Sequence, residues 1–191
     1  VNVPGELVEI SYDPRVSARW AVIPTSRIKG SAGIYSQPPQ LYEAYRPDDK
    51  PVELDAEKAY GFTLGFEQDL GQAFHADIEG YYKWMDDLIV RNDNFSSLNS
   101  AYFTNNGRGR AYGVELMLRQ DPVGRFFGWI SYTLSRSERK DRPEGDWYLF
   151  DFDQTHILNG VAGYKLPWDF EISAKGQYVT GNPTTPYNLG V

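Results

Sequence analysis

His75, Asp77 and Glu79 recur at every second position of Phe74-His75-Ala76-Asp77-Ile78-Glu79. An imidazole that titrates near neutral pH, with a carboxylate to orient it, is the equipment of general acid–base catalysis. No paired serine nucleophile or oxyanion motif accompanies them, so hydrogen bonding along a wet wall is the favoured role. Asp151, Asp153 and His156 are metal-ligating types. Alternation puts both aspartates on one face and the histidine on the other, with no second histidine nearby, so a structural or interfacial role is favoured. Gly107-Arg108-Gly109 leads into a period-two pattern rather than a helix, which removes the phosphate-cradle reading. The mixed-charge run from Arg136 to Asp153 could meet an anionic ligand or a metal chelate, or serve only as a solvated loop. No catalytic residue, metal site or cofactor is assigned, and no enzyme activity is expected.

The elements that must position these side chains are strands. Tyr60, Phe62, Leu64 and Phe66 alternate with Gly61, Thr63, Gly65 and Glu67. After Asp69-Leu70-Gly71, Phe74, Ala76, Ile78, Gly80, Tyr82 and Trp84 alternate with His75, Asp77, Glu79, Tyr81 and Lys83. This period predicts strands near 59–68 and 73–85. The same pattern predicts strands near 17–23, 27–35, 110–119, 125–135, 156–165 and 169–179. They make eight strands in four hairpins, with short turns at 24, 70, 122 and 167 and long loops over 36–58, 86–109 and 136–155. Leu7-Val8-Glu9-Ile10 is a short β-like piece before Asp13-Pro14-Arg15. An antiparallel meander of this kind gathers its short turns at one end and its long loops at the other. That asymmetry is the habit of outer-membrane barrels.

Composition agrees. Mean hydropathy is -0.53, yet aromatics reach 15%, with two Met and no Cys. No apolar run is long enough for a spanning helix, whereas a barrel strand needs only about ten alternating residues. A formal charge of -7 and a pI near 4.9 argue against a nucleic-acid partner. Strands of about ten residues are long for a soluble sandwich. Aromatics gather toward both strand ends: Phe66, Phe74, Phe126, Tyr164, Trp168 and Phe170 near the short turns, and Tyr60, Tyr82, Trp84, Tyr112, Tyr132 and Tyr178 toward the long loops. Two belts suit a bilayer with two interfaces. On this reading Phe62, Leu64, Ile78, Val114, Ile130 and Ile172 face lipid. Glu79, Lys83, Glu115 and Gln177 face a lumen. Gly61, Gly65 and Gly113 either leave room for close packing or allow curvature.

Asn106-Gly107-Arg108-Gly109-Arg110-Ala111-Tyr112-Gly113-Val114-Glu115-Leu116 resembles the strand opening of Asn-x-Gly, then Gly-x-Glu, in the barrels of TonB-dependent outer-membrane receptors. Phe152-Asp153-Gln154-Thr155-His156-Ile157-Leu158-Asn159 and Tyr178-Val179-Thr180-Gly181-Asn182-Pro183 resemble two later segments of those barrels. Asp13-Pro14-Arg15-Val16-Ser17 and Gly33-Ile34-Tyr35-Ser36-Gln37-Pro38-Pro39 add two more, in the family's order.

The resemblance implies a segment, 1–191, from the later part of a barrel of about 22 strands, without its plug. It implies capture of a scarce nutrient at the cell surface and its import across the outer membrane of a Gram-negative cell. The partners it implies are a siderophore or other small molecule, membrane lipid, and TonB through an N-terminal part outside this segment. Glu79, Lys83, Glu115, Gln177 and Arg139 become the candidates for ligand contact. Two alternatives stay open at this point. One is a soluble β-sandwich that binds carbohydrate or protein through its loops. The other is a complete eight-stranded barrel, enzymatic or adhesive, in which 17–23 would pair with 169–178.

Overall fold

An extended segment has no backbone hydrogen-bond partner within itself, so each alternating run must find a neighbouring strand. In the computed structural model, which describes residues 11–40, 42–44, 52–92 and 102–183, every such run pairs antiparallel with the next. The strands are β1 (Arg15–Ile23), β2 (Ser26–Gln37), β3 (Glu57–Leu70), β4 (Phe74–Arg91), β5 (Phe103–Gln120), β6 (Phe126–Lys140), β7 (Tyr148–Leu149), β8 (His156–Lys165) and β9 (Glu171–Val179). They form one sheet in the order β1-β2-β3-β4-β5-β6-β8-β9, with β7 paired to the far end of β6. The Leu7–Ile10 piece and part of the first two long loops lie outside the described residues. Among the described residues there is no second sheet to make a sandwich. No ladder joins β1 to β9 to close a small barrel either.

Strand bounds differ most where alternation fails. β4 and β5 run on through residues expected to be loop, to Arg91 and from Phe103. The pairing slips between Met85 and Leu88, where Asp87 takes a positive φ of 56°. A bulge of this kind swaps the faces of everything beyond it, which destroys the period. β6 continues through Arg136-Ser137-Glu138-Arg139-Lys140, fully paired with β5 from Tyr112 back to Arg108. It carries charge on both faces, so nothing apolar alternates. Short turns use glycine where the backbone must turn left-handed, at Gly71 (φ 79°) and Gly124 (φ 85°). The last turn instead places Trp168 and Asp169 there, at 62° and 59°, with the indole 87% exposed.

Register aligns one face into rows. Trp20, Ile28, Phe66, Ile78, Leu116, Tyr132, Leu158 and Tyr178 are successive cross-strand partners over eight strands. Moving along this row from β1 to β9, the residues stand progressively farther from the short turns, the stagger of tilted strands. Phe66 therefore lies in the belt near the turns and Tyr178 in the far one, although one row contains both. Tyr132 is the exception to the expected belts. It sits mid-wall, and its hydroxyl bonds His156 Nδ1 at 2.7 Å.

The sheet has almost no core. Buried apolar residues among those described are Ala56, Ala59 and Met85, and no large side chain is fully buried. Leu64 is 68% exposed and Phe62 54%. Leaving one such side chain in water forgoes about 1.5–3 kcal/mol of burial. A continuous apolar face of this extent is an interaction surface.

The opposite face is concave, because side chains there reach across an intervening strand. Lys29 of β2 passes over Gly65 of β3 to Asp77 and Glu79 of β4. A Cβ on Gly65 would come within 2.6 Å of the Lys29 chain. At Gly113 a Cβ would meet the Leu134 carbonyl oxygen at 2.4 Å and the Tyr81 hydroxyl at 2.9 Å. Both glycines are therefore already filled by neighbours. Replacing Gly113 by Ala should destabilise the full-length barrel by about 1–3 kcal/mol in denaturant titrations, since backbone must move. Gly80→Ala, whose nearest neighbour would be 3.9 Å away, should stay within about 0.5 kcal/mol or gain stability. Equal costs at the two positions would refute the packing account.

Candidate functional site

Hairpin register decides which charges meet on the concave face. Arg27, Glu67, Asp77 and Met117 form one row; Lys29, Gly65, Glu79 and Glu115 form the next. Diagonal reach then links them. Arg19 pairs with Glu67, its Nε 3.0 Å from Oε2. Arg27 meets Asp69 at 2.9 Å, and the Lys29 ammonium lies 2.9 Å from Asp77 and 3.0 Å from Glu79. At the short-turn rim His75 is held between Asp69 (Nδ1, 2.7 Å) and Asp121 (Nε2, 3.0 Å), and Arg119 also reaches Asp121 at 3.0 Å. All of these groups but Glu79 and Asp121 border a groove of about 490 Å³.

His75 is therefore oriented by Asp69 and Asp121 rather than by Asp77 or Glu79. Residues two apart on one strand are separated by about 7 Å, whereas cross-strand partners lie about 5 Å apart. With both ring nitrogens engaged by carboxylates, His75 ties β3 to the turn that follows β5.

The five ligand candidates fall in different places. Glu79 is paired with Lys29 and stands directly opposite Glu115 in the β4–β5 register. Like charges so placed repel by a fraction of a kcal/mol, and Lys29 offsets this for Glu79. Glu115 and Lys83 are exposed, Lys83 in the row of Gly61 and Ala111. Arg139 lies one row farther out, opposite Gly109 and Tyr148. Its Nη1 donates to the Glu138 carbonyl at 3.0 Å and to Ser137 Oγ at 3.2 Å, and its guanidinium sits 4.3 Å over the Phe150 ring. Burial lowers its pKa. Beside it, burial and a 2.6 Å hydrogen bond to Asp141 push the Tyr148 phenol up to about 12. Thus Glu79, Glu115, Lys83 and Arg139 mark one strip of wall over β4–β6. Gln177 stands apart on β9 opposite Asn159.

Asp153 is 3% exposed. It accepts the Ser137 amide at 2.6 Å and the Thr155 hydroxyl at 3.1 Å, which satisfies the backbone where β7 leaves β6. His156 lies on the apolar face, stacked on Tyr132. The three residues do not converge, and no group of three potential metal ligands occurs among the described residues. Arg19, Arg27, Arg119 and Asp121 escaped sequence reading, although their parity on each hairpin matched that of the opposite charges.

The chain matches the family model "TonB dependent receptor-like, beta-barrel" over residues 11–190. No curated protein sequence matches it. Among solved structures, the FrpB iron transporter from Neisseria meningitidis superposes with TM-score 0.68 at 18% identity, over 87% of this chain and 26% of that one. The ferric-catecholate import receptor Fiu from E. coli K12 gives 0.68 at 13%, over 86% and 24%. The alcaligin outer-membrane receptor FauA from Bordetella pertussis gives 0.68 at 13%, over 91% and 30%. At these identities the likeness is one of fold, and the chain spans about a quarter to a third of those proteins' lengths.

The ion pairs are 20–60% exposed at their side chains, so each is worth little to stability. A double-mutant cycle of Lys29→Met with Glu79→Gln should give a coupling of about 0.2–1 kcal/mol that shrinks as salt rises. A coupling above about 3 kcal/mol, insensitive to salt, would contradict a solvated wall.

Proposed function

As the chain belongs to the β-barrel family of TonB-dependent receptors, we propose that it is part of the wall of an outer-membrane receptor that binds a scarce nutrient at the cell surface and imports it. The observation that carries this reading is the coreless sheet: one continuous apolar face bounded by aromatics, and one charged concave face. From Phe126 to Arg136 the wall rises about 26 Å, for strands advancing ~3.4 Å per residue and tilted ~40°. That height suits the apolar band of a bilayer-spanning barrel. Phe62, Leu64, Ile78, Val114, Ile130 and Ile172 then contact lipid. Glu79, Lys83, Glu115 and Gln177 line the water-filled interior.

The ligand class is an anionic iron chelate. Support comes from two sources: Lys83 and Arg139 present cationic groups on the concave wall toward the long loops, and the structural neighbours carry iron and ferric-catecholate import in their names. Arg139, stacked on Phe150, offers the planar cation suited to a charged aromatic chelate. The role is transport, with TonB engaging the receptor elsewhere than on this wall.

Arginine placed at Leu64, Ile78 or Val114 of the full-length receptor should cost about 2–4 kcal/mol in folding into bilayers. At Thr63 or Asp77 it should be tolerated. Equal tolerance on both faces would overturn the orientation. Separately, Arg139→Gln and Lys83→Gln should each weaken binding of a ferric catecholate by on the order of ten-fold, about 1.4 kcal/mol, in titrations of the purified receptor. Unchanged affinity in both would remove these two residues from the ligand site while leaving the barrel assignment standing.

A further inference from the structure

A charged cluster also stands on the wrong face. Tyr60, Trp84, Arg110 and Glu138 are successive cross-strand partners on the apolar side, and Phe62, Tyr82, Tyr112 and Arg136 form the adjoining row. Tyr82 and Tyr112 stack there at 6.1 Å. Two guanidiniums thus sit level with the aromatic belt at the long-loop end. On an apolar face, charge in this position must have a counter-group or reach water.

Glu138 supplies only half of what is needed. Its side chain is 7% exposed, and its two oxygens take Arg110 Nε at 2.6 Å and Arg136 Nε at 2.8 Å. One carboxylate therefore fixes both guanidiniums by their inner nitrogens. Among the described residues, the terminal nitrogens of both have no protein hydrogen-bond partner. Trp147, which meets Trp84 edge-on at 5.8 Å, lies under Arg110 at 4.4 Å and beside the Lys140 ammonium at 5.4 Å. Among the described residues, Lys140 is otherwise bonded to the Pro143 carbonyl. Two guanidiniums share one carboxylate, and the Lys140 ammonium faces the same Trp147 ring as Arg110. Of the acids toward the end of β4, Asp86 pairs with Arg108 at 3.0 Å and Asp87 with Lys58 at 3.5 Å.

Two pre-oriented guanidinium forks with spare donors fit a tetrahedral oxyanion. Their place beside an interfacial tryptophan and tyrosine pair, on the face that the preceding reading puts in lipid, selects a membrane source over a dissolved one. We infer that Arg110 and Arg136, held by Glu138 beside Trp147, bind the phosphate head group of a lipid in the leaflet toward the long loops. Lys140 adds charge, and the acyl chains lie down the row of Val114 and Leu134, which are partners one step below.

The test uses the full-length receptor in phosphatidylcholine nanodiscs doped with phosphatidic acid or, separately, with diacylglycerol. Native mass spectrometry counts the lipid adducts that survive release. Wild type should retain phosphatidic acid and not diacylglycerol. R110Q/R136Q should lose retention by on the order of ten-fold, while K175Q on the other face should match wild type. If the double variant does not assemble, R136Q alone, which leaves the Arg110–Glu138 pair intact, should show a partial loss. Equal retention by wild type and the arginine variants, equal retention of the two lipids, or displacement by inorganic phosphate at the same concentration would overturn the proposal. Tolerance of arginine at Leu64, Ile78 and Val114 would instead overturn the lipid orientation itself, so the two failures are distinct.

Discussion

The interstrand backbone ladder is the constraint on which everything else in this chain depends. In a layered domain the ladder and a shared core stabilise each other. Here eight strands pair edge to edge with no second layer among the described residues, and only Ala56, Ala59 and Met85 supply buried apolar surface. The hydrophobic term must then come from outside the chain. A row such as Trp20 to Tyr178, apolar across the whole sheet, demands a partner as wide as the sheet, and a bilayer meets that demand without specific contacts. In such a medium an unpaired amide would cost several kcal/mol, which is why the strands pair with so few interruptions.

The same ladder explains the concave face. A fixed register places Gly65 between Lys29 and Glu79, and Gly113 between Tyr81 and Ser135. Each missing Cβ is a gap through which a long side chain crosses a strand. Charges therefore meet partners two strands away, and the wall carries an interlocked set of pairs where isolated cations would attract any anion in the lumen. Among the cations left out of that set, Lys83 and Arg139 lie toward the long loops.

Legibility in the sequence followed the environment of each residue. From Tyr60 to Trp84 one face carries apolar residues and the other mostly polar ones, so period two is plain along this part of the hairpin. β5 before Arg110 and β6 after Ser135 carry polar residues on both faces. No alternation survives there, so the sequence pattern reads as loop. The bulge at Asp87 hid the end of β4 by exchanging faces. The candidate site was less legible still. His75 is visible as a polar residue of the right parity, but its partners are set by the register of two ladders: Asp69 stands directly opposite it on β3 and Asp121 follows the end of β5, pairings that alternation within one strand does not specify.

That limit also accounts for Glu138. On parity alone it belongs with the outward-facing residues, an expensive position for a carboxylate. Register resolves the conflict by bringing Arg110 opposite and Arg136 two residues away on the same side, so the acid is neutralised twice over and its cost falls on the arginines. A buried carboxylate that over-recruits cations at the level of the aromatic belt does more than satisfy itself. It converts an apolar rim into one with a net positive pocket, at the depth where a bilayer presents its own anions.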